Sequence, residues 1–308
     1  LTPKLERQLE HVDSLLREGE TAEAINELEE LHQANPRQPD ILHELVRISQ
    51  EVDDRRRYLR YAQRLTELLP GDEDILLATA HAYLINTYVA LTIKTYQTFL
   101  RRFPNSDETE EVREKIAKLE QALHQAIKEN NHPEENWLDI AIQQDTVRFN
   151  LESGYYAEAR SAVNQLLRTV PDFIPGLNNL SQIEWLAGNQ APAIAAAQRV
   201  LVLDPDNYHA LANLSRYLLF SGRHEEAMQT AGRLKSIQSE ESDFWIKKLE
   251  TFSYFGDDAA ILETMEDAIS KEVITDTTPP IFWHYGAVAA MRLGDEQQAR
   301  LWWERALE

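Results

Sequence analysis

Prolines and glycines recur through this chain with one period. Pro36, Pro70 and Pro104 stand at even intervals of 34, Pro171 and Pro205 repeat that spacing, and Gly154, Gly188, Gly222 and Gly256 form a third series at 34. Three independent series with one period signal an internal repeat, which constrains the fold more than any composition can. Within each period the apolar residues fall into two helical blocks separated by the glycine. The segments "AEARSAVNQLLRTVPDF", "APAIAAAQRVLVLDPDN" and "EEAMQTAGRLKSIQSEE" align without gaps. They carry Ala159, Val163 and Leu166, then Ala193, Ala197 and Val200, then Ala227, Ala231 and Leu234. A spacing of four then three puts each trio on one helix face. Glycine is expected to end the first helix of each unit, and proline to follow the second because it cannot continue it.

These features resemble the tetratricopeptide repeat family, whose 34-residue unit is a pair of antiparallel helices. That family has Trp at repeat position 4, Leu at 7, a small residue at 8, Tyr at 11, Ala at 20, an aromatic at 24, Ala at 27 and Pro at 32. Numbered that way, units start at residues 5, 39, 73, 140, 174, 208, 242 and 280. Position 20 is then Ala24, Tyr58, Thr92, Ala159, Ala193, Ala227, Ile261 and Ala299; Trp245 and Trp283 fill position 4 of the last two units, and Tyr83 fills position 11 of the third. The resemblance spans nearly the whole chain, with units two, three and seven degenerate. It implies an all-α, right-handed superhelical solenoid of helix-turn-helix repeats, with the first helices lining a concave surface.

Two breaks interrupt the period. Pro104 and Pro171 are separated by one position less than two full periods, and much of the interval is the charged run "SDETEEVREKIAKLEQALHQAIKENN". Its Val112, Ile116, Leu119, Leu123 and Ile127 make one narrow apolar stripe, the pattern of a single long helix. "NNHPEENW" then breaks it, and "ITDTTPP" lengthens the loop before the last unit. The expected organisation is a block of three repeats over residues 1–106, a linking helix and loop over 107–135, and five repeats over 136–308. Because "ARLWWERALE" ends within a second helix, without the polar capping element that solenoids use, the chain reads as truncated at this end. Leu301, Trp302 and Trp303 there leave room for self-association. Leu1 in place of methionine implies that the natural N-terminus lies upstream.

The chemistry of catalysis finds no foothold. With no cysteine, disulfides, thiolate nucleophiles and cysteine-ligated zinc are excluded. The nine histidines include no zincin pair, and no phosphate loop, dinucleotide fingerprint or nucleophile elbow occurs. "DPDN" at 204–207 lacks the later ligands of a calcium loop and reads as an inter-repeat turn. No cofactor is expected. A net charge of −21 argues against nucleic acid, and no run of about 18 apolar residues exists to insert into a membrane. The compartment is open, with the cytoplasm favoured. The basic cluster in "DDRRRYLRYAQR" reads as a solvated helix face balanced by Asp53 and Asp54.

The resemblance places positions 2, 6, 9 and 13 on the concave surface. In the first three units these are Glu6, Glu10, Asp13, Asp40, Glu44, Glu51 and Asp74 against Arg17 and Arg47, with His81 alongside. Such an acidic groove should attract a basic partner. The middle units present Arg148, then Asn179 and Gln182, then His209, Asn213 and Arg216. Asn179 and Asn213 occupy position 6 of adjacent units, similar to the asparagine ladder of the tetratricopeptide domain in the O-linked N-acetylglucosamine transferases. An amide has donors and an acceptor, so it can pair with a peptide backbone whatever its side chains. The chaperone-tail clamp of the family does not fit, since of its residues only Asn179 matches and both lysines are missing. The expected function is a non-catalytic scaffold that binds extended peptides or helices of partner proteins. The alternative is a regulatory or substrate-recruiting region of a larger enzyme.

Overall fold

The computed structural model describes residues 2–129, 135–275 and 278–307, with side chains 126–129 outside that description. These residues form seventeen α-helices and no strand. In chain order they are α1 (Pro3–Glu18), α2 (Thr21–Ala34), α3 (Pro39–Glu51), α4 (Arg55–Leu68), α5 (Glu73–Ile85), α6 (Val89–Arg102) and α7 (Thr109–Glu129). Then follow α8 (Trp137–Glu152), α9 (Tyr156–Thr169), α10 (Ile174–Leu186), α11 (Gln190–Leu203), α12 (Tyr208–Phe220) and α13 (His224–Gly232). The last four are α14 (Ser242–Phe255), α15 (Asp258–Ser270), α16 (Pro280–Arg292) and α17 (Glu296–Leu307). They alternate as first and second helices of eight repeats, with α7 the additional long helix between the third and fourth. The apolar stripe expected on it is real over Val112 and Ile116, which are buried, with Leu119 and Leu123 packed against the same cluster. Ile127 and most of "NNHPEENW" fall outside the described residues.

The residues that punctuate the sequence also punctuate the helices. α2, α4, α6, α9 and α11 each stop two residues before a proline of the periodic series. The ring would clash with the preceding turn, and the residue before it is disfavoured in the helical region. Between the two helices of every repeat one residue takes a positive φ. Gly19, Gly154, Gly188, Gly222, Gly256 and Gly294 do so, and the two missing places are filled by Asp53 (φ 53°) and Thr87 (φ 63°). The turn geometry thus recurs in all eight repeats, although glycine supplies only six. Side-chain caps start several helices: Asp54, Asp72, Asn207 and Asp257 accept the backbone N–H of Arg57, Ile75, Ala210 and Ala260.

The chain divides into two compact units, Leu1–Thr146 and Val147–Glu308. In the first unit successive helices pack from α1 to α7. One core gathers Val12, Leu28, Leu42, Leu45 and Leu65, and another gathers Ala80, Ile93, Phe99 and Val112. The start of α8 also packs here, with Trp137 stacked on His124 at 4.9 Å. Arg57 bridges Glu29 and Asp54, at 3.0 Å in each case, while Tyr61 donates to Glu29 at 2.7 Å. Arg55 pairs with Asp53 and Arg64 with Glu67, so most of the basic cluster is internally balanced.

In the second unit Trp245, Phe244, Leu249, Met265, Ala287 and Trp302 share the largest core. Trp302 is therefore packed inside its own hairpin, and the outward residue of that segment is Leu301. The position-20 residues of all eight repeats are buried, including the degenerate Tyr58, Thr92 and Ile261. The first helices α10, α12, α14 and α16 lie side by side, each touching the next.

Candidate peptide-binding site

Helical spacing puts residues 179, 182 and 186 on one face of α10, and the same register gives 213, 216 and 220 on α12 and 247, 250 and 254 on α14. Because these helices adjoin, the three triplets make a three-by-three surface in the second unit. Asn179 is half-buried; its Nδ2 is enclosed and has no hydrogen-bond partner among the described residues. Gln182 is half-buried beside it. On α12, Arg216 donates to Asn213 Oδ1 at 3.3 Å, packs over the Tyr217 ring at 5.4 Å and reaches Glu250 at 4.0 Å. Glu250 in turn takes Lys247 at 3.3 Å and the Tyr254 hydroxyl at 3.1 Å. The arrangement is a polar sheet of side chains across three repeats, anchored from beneath by Trp185 stacked on Tyr217 at 4.4 Å.

His209 lies at the N-terminal end of α12, 3.5 Å from Asp243. Burial holds its imidazole below the ordinary range against the opposing pull of Asp243. Arg148 is on α8 near Glu152 at 3.8 Å. Of the sequence-predicted residues, Asn179, Gln182, Asn213, Arg216 and His209 therefore come together on adjoining helices.

The second asparagine of the pair, Asn178, has a different task. Its Nδ2 donates to Asn207 Oδ1 at 3.2 Å, and Asn207 caps α12, so Asn178 ties one repeat to the next. The turn at 204–207 carries this cap. Among the described residues no group of three or more His, Cys, Asp or Glu could hold an ion. No described helix is long and apolar enough to cross a membrane.

Sequence reasoning stopped one repeat short. Lys247, Glu250 and Tyr254 occupy the same register on α14 and complete the network; extending the positional stripe by one further period would have found them. It also passed over Asp145, which holds position 6 in the fourth repeat. There the side chain is buried in the first unit and accepts the backbone N–H of Ala90 at 2.8 Å and of Leu91 at 3.3 Å. A carboxylate at a helix N-terminus satisfies orphan donors and the helix dipole together, and α6 has no cap of its own.

In the first unit the acids take two forms. Arg47 is held between Glu44 at 2.5 Å and Glu51 at 2.9 Å on α3. Asp40 accepts from Gln38. Glu6, Glu10, Asp13 and Asp74 are exposed and make no side-chain hydrogen bond or ion pair among the described residues. Arg17 donates to the Asp13 backbone carbonyl, and His81 meets Tyr58 at 3.3 Å.

A helical pair in every period, a left-handed turn in each and a buried position 20 throughout decide the architecture. The repeats resemble those of the tetratricopeptide type. No protein-family profile and no curated protein matches the chain. Solved structures to which this helical array is similar include the MamA protein, at 18% identity and TM-score 0.39, over 55% of this chain and 90% of that one. The P58(IPK) TPR domain is similar at 13% identity and TM-score 0.35, over 98% and 92% of the two chains. Human IFIT1, solved as a dimer with m7Gppp-AAAA, is similar at 12% identity and TM-score 0.35, over 93% and 67%. Likenesses at this level say nothing about what the chain binds.

Proposed function

We propose that the chain is a non-catalytic scaffold whose face on α10, α12 and α14 binds an extended peptide segment of a partner protein. The observation that carries this is the pair Asn179 and Asn213 at one register of adjoining helices, with the Asn179 Nδ2 enclosed and unpartnered. A buried donor without an acceptor costs free energy, which a ligand carbonyl would recover once the amide rotates out to meet it. A peptide backbone offers carbonyls and N–H groups in regular alternation, which side-chain amides match. In the first unit, Glu6, Glu10, Asp13 and Asp74 add a preference for basic segments, because unpaired acids on one face favour cations.

Selection from a phage-displayed library of random 12-residue peptides tests the central statement. Peptides selected on the wild type should bind an Asn179→Ala/Asn213→Ala variant roughly thirtyfold more weakly, for two hydrogen bonds at about 1 kcal/mol each. Equal binding by the variant, with its helicity intact, would remove the asparagines from the site. Replacing Glu6, Glu10 and Asp13 by lysine should leave these peptides bound and abolish selection of Lys- and Arg-rich ones.

A further inference from the structure

The polar face is bordered by a row of apolar side chains that the fold leaves in solvent. Leu186 is 46% exposed, Phe220 60% and Tyr254 38%, each closing the binding register of its helix. Phe220 and Tyr254 touch edge to face with centroids 5.9 Å apart, and Phe220 lies 6.4 Å from Trp185. An aromatic ring so open to solvent gains little from its own core, and contiguous exposed apolar residues mark interaction surfaces.

The charges on that face cancel as a whole. On α10, α12 and α14 the register carries two cations, Arg216 and Lys247, and two anions, Asp243 and Glu250, with Glu250 paired to both cations. This neutrality stands out on a chain of net charge −21. The face is therefore neutral overall, and a charged side chain placed on the apolar row would lose hydration with no net opposite charge to meet it.

Resting on the proposed peptide reading, we infer that the segment recognised is uncharged over its bound stretch and places an aromatic or leucine side chain on the row Leu186, Phe220 and Tyr254. In an extended chain alternate side chains point to opposite sides. One set then covers the apolar row while the backbone lies along Asn179, Gln182 and Asn213. Specificity comes from the apolar side chain, and register from the amides.

The same phage library reads this out directly. Wild-type-selected peptides that the Asn179→Ala/Asn213→Ala variant loses should carry Phe, Trp, Tyr or Leu at one fixed place, with Asp, Glu, Lys and Arg depleted around it. A Leu186→Gln/Phe220→Gln variant should bind them at least tenfold more weakly. Both residues are exposed and make no hydrogen bond through their side chains, so the helicity and melting temperature should not move. Apolar enrichment that persists on this variant, or a predominance of charged residues among the peptides that the Asn179→Ala/Asn213→Ala variant loses, overturns the inference. If binding depends on Asn179 and Asn213 but not on Leu186 and Phe220, the peptide reading stands and this one fails. If no peptide is selected at all, both fail.

Discussion

Lys248 stands where the repeat calls for leucine. It is only 7% exposed, lying 5.6 Å from the Phe244 ring and 5.4 Å from that of Trp245. Burial pulls its amine below the ordinary lysine range, and Asp267 and Glu263 only partly oppose that. A folded-state pKa below the unfolded value of about 10.4 means that holding the charge costs stability at neutral pH. That cost is relieved as pH rises from the folded pKa toward the unfolded one. In urea unfolding at pH 7, Lys248→Met should be the more stable protein by about 1 kcal/mol after the lost cation–π contacts are discounted. The advantage of the variant should shrink as the pH approaches the unfolded value. A variant less stable than wild type at pH 7 would show that the aromatic contacts outweigh desolvation. Residues such as Ala159, Val163 and Asn179 were legible in the sequence, because helical spacing alone fixes their face. Asn178 was not, because its partner Asn207 belongs to the next repeat. A contact between repeats is invisible to a pattern read within one.

Helix boundaries were readable from proline and glycine, since both act on the backbone by local sterics. The complete series of left-handed turns was not, because at residues 53 and 87 the fold imposes on other residue types what glycine does elsewhere. For Thr87, whose branched Cβ crowds the backbone at φ 63°, the left-handed turn costs about 1–2 kcal/mol. Thr87→Gly should stabilise the hairpin of α5 and α6 by about 1 kcal/mol once glycine's greater unfolded freedom is subtracted. Hydrogen exchange across α5 and α6 would register this as slower opening; faster opening would mean that the Thr87 side chain contributes more than the strain. At the hairpin of α16 and α17 glycine answers a different need. A Cβ on Gly286 would stand 2.8 Å from Trp302 Cε3 and 2.9 Å from Met265 Cε. The methionine end can yield, but the indole is wedged in the core. Gly286→Ala should therefore cost about 1–3 kcal/mol, read as a lower melting temperature. No loss would mean that the indole repacks freely.

Across the whole molecule, 52 acids against 31 basic residues repel one another. Raising salt from about 10 mM to about 150 mM shortens the screening length from about 30 Å to about 8 Å. The melting temperature should rise, because relief of repulsion outweighs weakening of exposed pairs such as Arg223 with Glu226. A fall would show that local pairs dominate. The repeat architecture was the most legible feature, since its period survives degenerate units. The proposed binding face was half legible: its register was readable, but the paired network through Glu250 and the exposure of Phe220 emerge only when α12 and α14 adjoin. That the first-helix face of the second unit is the binding surface is tested most directly by hydrogen exchange of the full chain, with and without a saturating library-selected peptide. Protection should appear on α10, α12 and α14. Protection confined to the second helices α11, α13 and α15, or to the first unit, would contradict it.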